Sequence, residues 1–513
     1  MDDTKSPLTR RRLLAGAGAL AATGAVAWGL RQRSGDLVAP AVAGDLNVLY
    51  ISADELNPNF LGHVGHPDAR TPRLDALAAQ GMRLSKVYAT APTCAPTRQS
   101  MLTGLHPLEH GVFLNGYVFD ARTPTLASYF GAQGLRTACI GKLHTDNDEA
   151  NQTFGFDTVL SPQAGPRWRA VEDGWQEGVI PSSPDIEDAI AFATMPFNFG
   201  GTPQISEREN TDWILVEEAL RWLEDHREER FFLYVSMRAP HYPFAMPEDF
   251  YYLFDPADVT LPVVRAEDRE GSQAARQTWK KYRWGDMTEA HTRLVLARYL
   301  GATAWLDHLV GRLLDALDRL GLAQKTLVVF TSDHGDMCGE KGLWLKSQMF
   351  DPACRKPTLM RLPGVIEAGS RYDGLVSEVD LWPTVAGLVG VGGGLDALPI
   401  SGRDQSAALL GEPADPRTCA FATLGAPDER RWPWLHMARD ERYKLCRYRN
   451  ARRKPELTEL YDLERDPHEV DNIAGLPELA EVRARLEQAA DDFLGGLRAP
   501  AYPPVKGKGI SED

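Results

Sequence analysis

The residues best equipped for chemistry lie between Ala91 and Gly104, in the string Ala-Pro-Thr-Cys-Ala-Pro-Thr-Arg-Gln-Ser-Met-Leu-Thr-Gly. Pro96 drives Ala95 into an extended conformation and suits the opening of a helix. Cys94 is therefore expected just ahead of a helix running from about Thr97 to Thr103. A helix N-terminus favours an anion, and Arg98, one turn in, adds a permanent positive charge that can reach back toward the cysteine. Whatever anion forms at Cys94 would be stabilised there. The same string also reads as a small buried hydrophobe in a Pro-rich turn, the commoner fate of a lone cysteine.

Other reactive side chains stand where short apolar runs stop. Leu46 to Ser52 runs directly into Asp54-Glu55, and Leu327 to Thr331 into Ser332-Asp333-His334-Gly335-Asp336. In open α/β sheets ligands bind at the carboxyl ends of strands, so Asp54, Glu55, Asp333 and His334 would converge on one oxygen-rich site with a single imidazole. Oxygen ligands favour calcium, and the histidine opens the way to manganese. Taken alone, Asp54-Glu55 reads more readily as a solvated acidic turn. Arg136 to Ile140 ends at Gly141-Lys142-Leu143-His144, where a Lys and a His two apart face one pocket or else an exposed loop. Phe231 to Val235 leads into Arg238-Ala239-Pro240-His241-Tyr242-Pro243-Phe244. A histidine between prolines is otherwise a hydrogen-bonded structural residue.

The spacing CxPxRxSxxTG around Cys94 resembles the signature of the type I sulfatases, in which the cysteine is oxidised to formylglycine. The resemblance implies that Cys94 is the precursor of an aldehyde, hydrated to a geminal diol. One hydroxyl attacks sulfur and gives a covalent sulfate half-ester; loss of the second hydroxyl's proton expels sulfate and restores the aldehyde. A serine would lack that second hydroxyl. Gly141 to His144 matches the family's GKxH, which implies that Lys142 lies near the formylglycine and that His144 acts as base on its free hydroxyl. Ala239 to Phe244 is similar to APHxPF, whose histidine, here His241, contacts the sulfate and protonates the departing alcohol. Gly342-Leu343-Trp344-Leu345-Lys346 resembles GLWxK and gives Lys346 to the sulfate. With His241, Lys346 would neutralise the anion and stabilise charge on the leaving oxygen. Glu459-Leu460-Tyr461-Asp462-Leu463 followed by Asp466-Pro467 is similar to the closing ELYDLxxDPxE element, so the resemblance runs from Asn47 to about Asn472.

It implies Cys94, Arg98, Lys142, His144, His241 and Lys346 as catalytic residues, and Asp54, Glu55, Cys94, Asp333 and His334 around one divalent metal. The commonest family pattern has Asp where Glu55 stands and Asn where His334 stands. Histidine there resembles the choline sulfatase, phosphonate monoester hydrolase and iduronate sulfatase branches, which bears on the metal's identity more than its presence. A phosphonate monoester or phosphodiester hydrolase on the same site is the runner-up. An inactive sulfatase-like carbohydrate-binding protein is a reading of another class, against which every catalytic position is filled.

The elements that must hold these residues follow. Thr71-Pro72 opens a helix that Gly81 closes, Thr211 to Glu229 is amphipathic, and Leu294 to Leu320 carries Leu300, Ala304, Leu309, Leu313 and Leu317 near helical spacing. Short apolar strands alternating with helices make an α/β fold. The resemblance sharpens this to an alkaline phosphatase-like sandwich, with a large mixed, mostly parallel sheet between helices and a smaller C-terminal α+β domain with a short antiparallel sheet. A catalytic domain is expected over 44–400, changing near Ser401-Gly402 to a C-terminal subdomain over 401–513. From Ser161 to Gln204 the chain is Pro-rich and carries Trp168, Trp175, Phe197 and Phe199; it reads as a rim that helps choose the leaving group or as a packed surface insertion.

The 513 residues, 43% apolar, can bury a large core. Six widely spaced cysteines, without a CxxC or a Cys/His zinc pattern, are too few for a disulfide scaffold. Thr9-Arg10-Arg11-Arg12-Leu13-Leu14, an uncharged Ala/Gly-rich stretch to Leu30 and Ala41-Val42-Ala43 resemble a twin-arginine export signal over residues 1–43. A membrane anchor is the alternative, but Ala and Gly supply little hydrophobicity for a span. The expected location is periplasmic or secreted, after export of a folded protein oxidised in the cytoplasm. Residues 1–43 hold six Lys/Arg and three Asp/Glu, so 50 basic and 68 acidic residues follow them, a net −18. Such a chain is a poor binder of nucleic acid. The expected partners are a sulfated small molecule or glycan end, a formylglycine-generating enzyme and the export machinery, with a homo-oligomer left open.

Overall fold

A computed structural model describes residues 45–144, 153–160, 195–197, 199, 201–204, 207–425, 434–449, 457–502 and 505–506. Residues 1–43, read above as an export signal, and most of the Pro-rich stretch, Trp168 and Trp175 included, lie outside them. Among the described residues no helix is long and apolar enough to cross a membrane.

Eight strands form the main sheet: β1 (Asn47–Asp54), β2 (Met82–Tyr88), β3 (Arg136–Gly141), β4 (Thr158–Leu160), β5 (Phe231–Pro240), β6 (Thr326–Ser332), β7 (Arg355–Arg361) and β8 (Ser370–Ser377). Their order is β8-β2-β7-β6-β1-β5-β3-β4. Only β7 runs against its neighbours β2 and β6; the other pairs are parallel. All eight residues of β1 are buried, the continuous apolar pattern of a strand covered on both faces. Each of Val48, Leu49 and Ile51 contributes about 1.5–3 kcal/mol by leaving water.

Alternation assigns the two faces. Leu49, Ile51 and Ala53 of β1 with Leu233, Val235 and Met237 of β5 share a core with helices α1 (Pro72–Gln80), α4 (Thr211–Asp225) and α5 (Glu289–Arg319). On the other face Tyr50 meets Phe232, whose ring stacks at 4.5 Å on Phe130 of α3 (Leu126–Ala132). Helix α2 (Cys94–Thr103) lies between α1 and α3 in sequence, and all ten of its residues are buried.

A second, antiparallel sheet follows in strict hairpin order: β9 (Ala420–Leu424), β10 (Trp434–Arg439), β11 (Tyr443–Arg449) and β12 (Leu457–Asp462). Leu445 and Leu460 pack there on Leu486 of α6 (Ala480–Gly496). Around residue 400 the chain stays tied to the main sheet's helices, since Ser401 and Gly402 both donate backbone N–H groups to the Gly104 carbonyl at the end of α2. All six cysteines are unpaired.

The elements differ from the sequence reading at two places that matter. Cys94 is the first residue of α2 rather than the residue before it, with Thr93 as N-cap. Pro96 costs nothing at the third position because the first turn's N–H groups have no partner within the helix. Strand β5 continues five residues beyond Val235, through Arg238 to Pro240. Its pairing with β1 shifts register after Ser52 so that Asp54 lies opposite Pro240, and at a strand's end a missing N–H is tolerated.

Candidate active site

The carboxyl ends of β1, β3, β5 and β6 meet the N-terminus of α2. Cys94 is 1% exposed, with its Sγ 3.7 Å from Asp54 Oδ1 and 3.1 Å from His334 Nε2. Donor atoms of Asp54, Cys94, Asp333 and His334 all lie within 4.8 Å of one another, the one such group of His, Cys, Asp and Glu among the described residues. His334 Nδ1 sits 2.9 Å from the Gly335 carbonyl, which holds a proton on that nitrogen and turns Nε2 toward Cys94.

Arg98 knits the strand ends together. Its Nε donates to Asp333 Oδ2 at 2.9 Å, and one terminal nitrogen donates to Ser236 Oγ at 2.7 Å and to the Lys142 carbonyl at 3.1 Å. The other terminal nitrogen pairs with Asp54 Oδ1 at 3.5 Å. The guanidinium therefore serves the two aspartates first, and its charge reaches Cys94 through space rather than by a hydrogen bond. Lys142 forms an ion pair with Asp54 through Oδ2. Gly141 makes that approach feasible: a Cβ there would lie 1.9 Å from the Ser236 carbonyl, which accepts the Lys142 N–H at 3.0 Å.

A second half of the site carries Glu55, His241 and Lys346. Glu55 has a left-handed backbone, φ 65°, and gives its N–H to Asp333 Oδ1 at 2.9 Å. Its Oε2 takes Lys346 Nζ at 2.7 Å and faces His241 Nε2 at 3.1 Å, while Lys346 Nζ lies 2.7 Å from that same nitrogen. The His241 Nδ1 bonds the Tyr242 carbonyl. Glu55 Oε1 is buried with no partner. Glu55 thus joins the site beside the four-donor group, its bound oxygen on Lys346 and its free one unused. Of His144, the contact that ties it to α2 is a backbone one, its carbonyl accepting from Gln99 Nε2 at 3.2 Å.

The electrostatics show which charges are answered. Burial alone would lift Asp54, but Lys142 and Arg98 hold it well below the usual carboxylate range. Burial raises Asp333 despite Arg98, and lifts Glu55 well above the usual range despite Lys346. The Cys94 thiol, which burial would push up, is drawn well below its ordinary value by Lys346 and Lys142. Burial and Lys346 bring His241 down to about 4, so it is neutral. Against burial, Asp333 and the Cys94 sulfur raise His334 to about 9. Two raised carboxyls, an unpartnered Glu55 oxygen and a backbone-oriented imidazole fit a divalent cation, which would replace the proton on His334 and answer the acids.

Sequence reasoning missed several residues that the structure recruits. Asn115 Oδ1 accepts the Ala95 N–H at 3.0 Å beside Cys94, and Ser236 holds Arg98. Asp212, at the start of α4, accepts the backbone N–H groups of Arg238 and Ala239, both at 2.8 Å, and so fixes the turn before His241. Glu378, fully buried, accepts from Thr90 and Thr97 and pairs with Lys356 beneath α2. Of the Pro-rich stretch, Phe197 and Phe199 pack edge-on against Tyr242 and Trp344 respectively, at 5.2 and 5.4 Å, next to His241 and Lys346.

Architecture and site together define a hydrolase of the alkaline phosphatase-like fold. Residues 46–391 match the Sulfatase family and residues 339–493 the N-sulphoglucosamine sulphohydrolase C-terminal family. The chain belongs to the sulfatase family and is a sulfuric ester hydrolase. It is 27% identical over 481 residues to the choline-sulfatase of Rhizobium meliloti, covering 89% of this chain and 86% of that one. It is 29% identical over 400 residues to the iduronate 2-sulfatase of Mus musculus, covering 67% and 69%. The solved phosphonate monoester hydrolase of Agrobacterium radiobacter superposes with a TM-score of 0.71 at 25% identity, over 90% of this chain and all of that one.

Proposed function

We propose that the protein hydrolyses a sulfate ester to an alcohol and inorganic sulfate, with position 94 as formylglycine and a divalent metal held by Asp54, Asp333 and His334. Glu55 Oε1 is available as a further donor. The observation that carries the reading is the Cys94 sulfur: it marks, between Asp54 and His334 at the head of α2, where the oxygens of a converted side chain would stand. The metal supplies Lewis acidity toward a sulfate oxygen and lowers the proton affinity of the attacking hydroxyl. Carboxylate oxygens favour calcium, while His334 admits manganese.

The chain's own side chains do the rest. Arg98 and Lys142 fix the two aspartates against their mutual repulsion. Lys346 brings a buried positive charge to the sulfate. His241 keeps its Nδ1–H on the Tyr242 carbonyl and shares its Nε2 with the Lys346 ammonium, and His241 is proposed as the group that protonates the departing alcohol once the sulfate lies against it. His144 is proposed as the base on the nucleophile's free hydroxyl. The substrate is a sulfated small molecule or a glycan end, and residues 1–43 direct the folded, modified protein out of the cytoplasm by the twin-arginine route.

The test is the mass of the peptide carrying Cys94 from protein made in its own host, followed by parallel assays of sulfate and phosphonate esters. Replacement of CH2SH by CHO together with sulfate release is the expected result. An intact thiol in exported, folded protein would overturn the mechanism. Faster turnover of phosphonate monoesters would instead move the assignment to the chemistry named for the Agrobacterium structure.

A further inference from the structure

The closing ELYDLxxDPxE element has no part in the chemistry above, yet its last residue reaches toward it. Glu469 is 1% exposed and accepts the Asp351 backbone N–H through Oε2 at 2.7 Å. Its Oε1 lies 2.8 Å from Lys444 Nζ, an ion pair rather than a directed hydrogen bond. Lys444, fully buried on β11, also donates to the Met349 carbonyl at 3.2 Å and pairs with Asp351. The Glu469 carbonyl takes a third bond, from Lys341 Nζ at 2.6 Å, and Lys341 reaches the His468 carbonyl and Asp268 as well, at 3.1 and 3.2 Å.

Those contacts grip both ends of one segment, residues 338–351, and Lys346 is in its middle. The segment is held in a conformation it would not choose. Cys338, Lys341, Leu345 and Ser347 are all left-handed without being glycine, with φ of 45°, 58°, 64° and 66°. Such residues persist only where the surroundings over-determine them. Two cross-links, Met337 N–H to the Leu345 carbonyl and Gly339 N–H to the Leu343 carbonyl, both 2.8 Å, fold it back on itself. Ser347 N–H then donates to the Pro92 carbonyl at 2.8 Å, two residues before Cys94. The backbone next to Lys346 is thereby set against the nucleophile strand end.

We propose that Glu469, with Lys444 and Lys341, is a positioning residue of the active site: the C-terminal element clamps the strained 338–351 segment and so places Lys346 on Glu55 and His241. The proposal rests on the sulfatase reading. It predicts coupling between two residues on different elements, one of which touches no reacting atom. A purely structural Glu469 would destabilise the fold without any such coupling.

The experiment is a double-mutant cycle in the full-length enzyme, on a panel of choline, aryl and monosaccharide sulfates, with rates normalised to the aldehyde content of the Cys94 peptide. Glu469→Gln is expected to lower kcat/KM about tenfold in the wild-type background and less than about twofold in a Lys346→Ala background. The loss should fall mainly on kcat if Lys346 acts in the transition state. Equal losses in both backgrounds would overturn the clamp, as would full kcat/KM in folded Glu469→Gln enzyme. Should Glu469→Gln not fold, Lys341→Met, which cuts the other tether, goes through the same cycle. A wild-type enzyme that releases sulfate from none of the panel overturns the sulfatase reading and the clamp together; additivity in an active enzyme overturns the clamp alone.

Discussion

Two buried clusters of charge sit about one loop apart, built from the same residue types and treated differently. Around Lys444, each charged group faces an opposite charge: Asp351 meets Lys444, Tyr88 and Arg355, Glu469 accepts the Asp351 N–H and pairs with Lys444 through an Oε1 that makes no hydrogen bond, and Lys341 has three acceptors. Around Cys94 the count does not close. Donor atoms of Asp54, Cys94, Asp333 and His334 crowd within 4.8 Å of one another, a gathering the Lys444 cluster lacks, and Glu55 Oε1 beside them has no hydrogen-bond partner. A native fold pairs its buried polar groups, so a cluster left open is one that expects a ligand. The closed cluster fixes geometry; the open one is where a metal and a sulfate would complete it.

The sharpest way to break this contrast is to delete the nucleophile. Cys94→Ala should reduce sulfate release at least about 10⁴-fold while thermal unfolding shifts little, because the ion pairs of Arg98 and Lys142 with Asp54 and Asp333 do not run through position 94. Substantial turnover by the variant would remove position 94 from the chemistry. The mirror experiment is Lys444→Met. Leaving Glu469 buried without its cation, and Asp351 with Arg355 alone, should cost about 3–5 kcal/mol, read from urea unfolding. Lys142→Met should cost far less stability, since Asp54 keeps Arg98, but about 10²-fold in turnover. Equal stability losses for the two lysines would erase the distinction drawn above.

Metal addition sharpens the comparison further. Calcium or manganese restored to chelator-treated enzyme should stabilise it by about 2.7 kcal/mol at a hundredfold excess over the dissociation constant, seen in unfolding curves without any assay of turnover. Asp333→Asn should remove that response, and Lys444→Met should leave it intact. A metal response unchanged in Asp333→Asn would place the ion elsewhere.

How much of this the sequence disclosed depends on where each contact's partners lie. Asp54, Asp333 and His334 were legible because buried parallel strands are continuous apolar runs and each stops at its acid. Cys94, Arg98, Lys142, His241 and Lys346 came with family spacing around them. What spacing could not show is direction. Arg98 was expected to reach toward Cys94, but Asp333, 235 residues away in sequence, captures its Nε. Glu55, placed among the metal ligands by the resemblance, gives one oxygen to Lys346 and keeps the other without a hydrogen-bond partner beside the four-donor group. Asp212 and Glu378 leave no local trace: one is an ordinary acid in a helix's first turn, the other a lone Glu after a strand, and only the packed fold reveals what their oxygens accept.

A third way of burying a titratable group gives the smallest effect and the cleanest sign. His436 on β10 is neither paired nor open to a ligand; it stacks with Phe421 and Trp434, shares a hydrogen bond with Thr423, and burial, helped by Arg447, lowers it to about 3. In the unfolded chain a histidine titrates near 6.5. Between those values the unfolded state binds a proton that the folded state refuses, so stability falls as pH drops below about 6.5 and is unaffected above it. The slope approaches about 1.4 kcal/mol per pH unit below pH 5.5. His110, lowered to about 3 by burial, adds the same slope. His436→Phe keeps the stack and removes one share, so between pH 5.5 and 4.5 the variant should lose about 1.3 kcal/mol less than the wild type in urea unfolding. Parallel curves would mean that His436 is charged in the fold, with Asp491, the acid that acts on it, as the counter-ion.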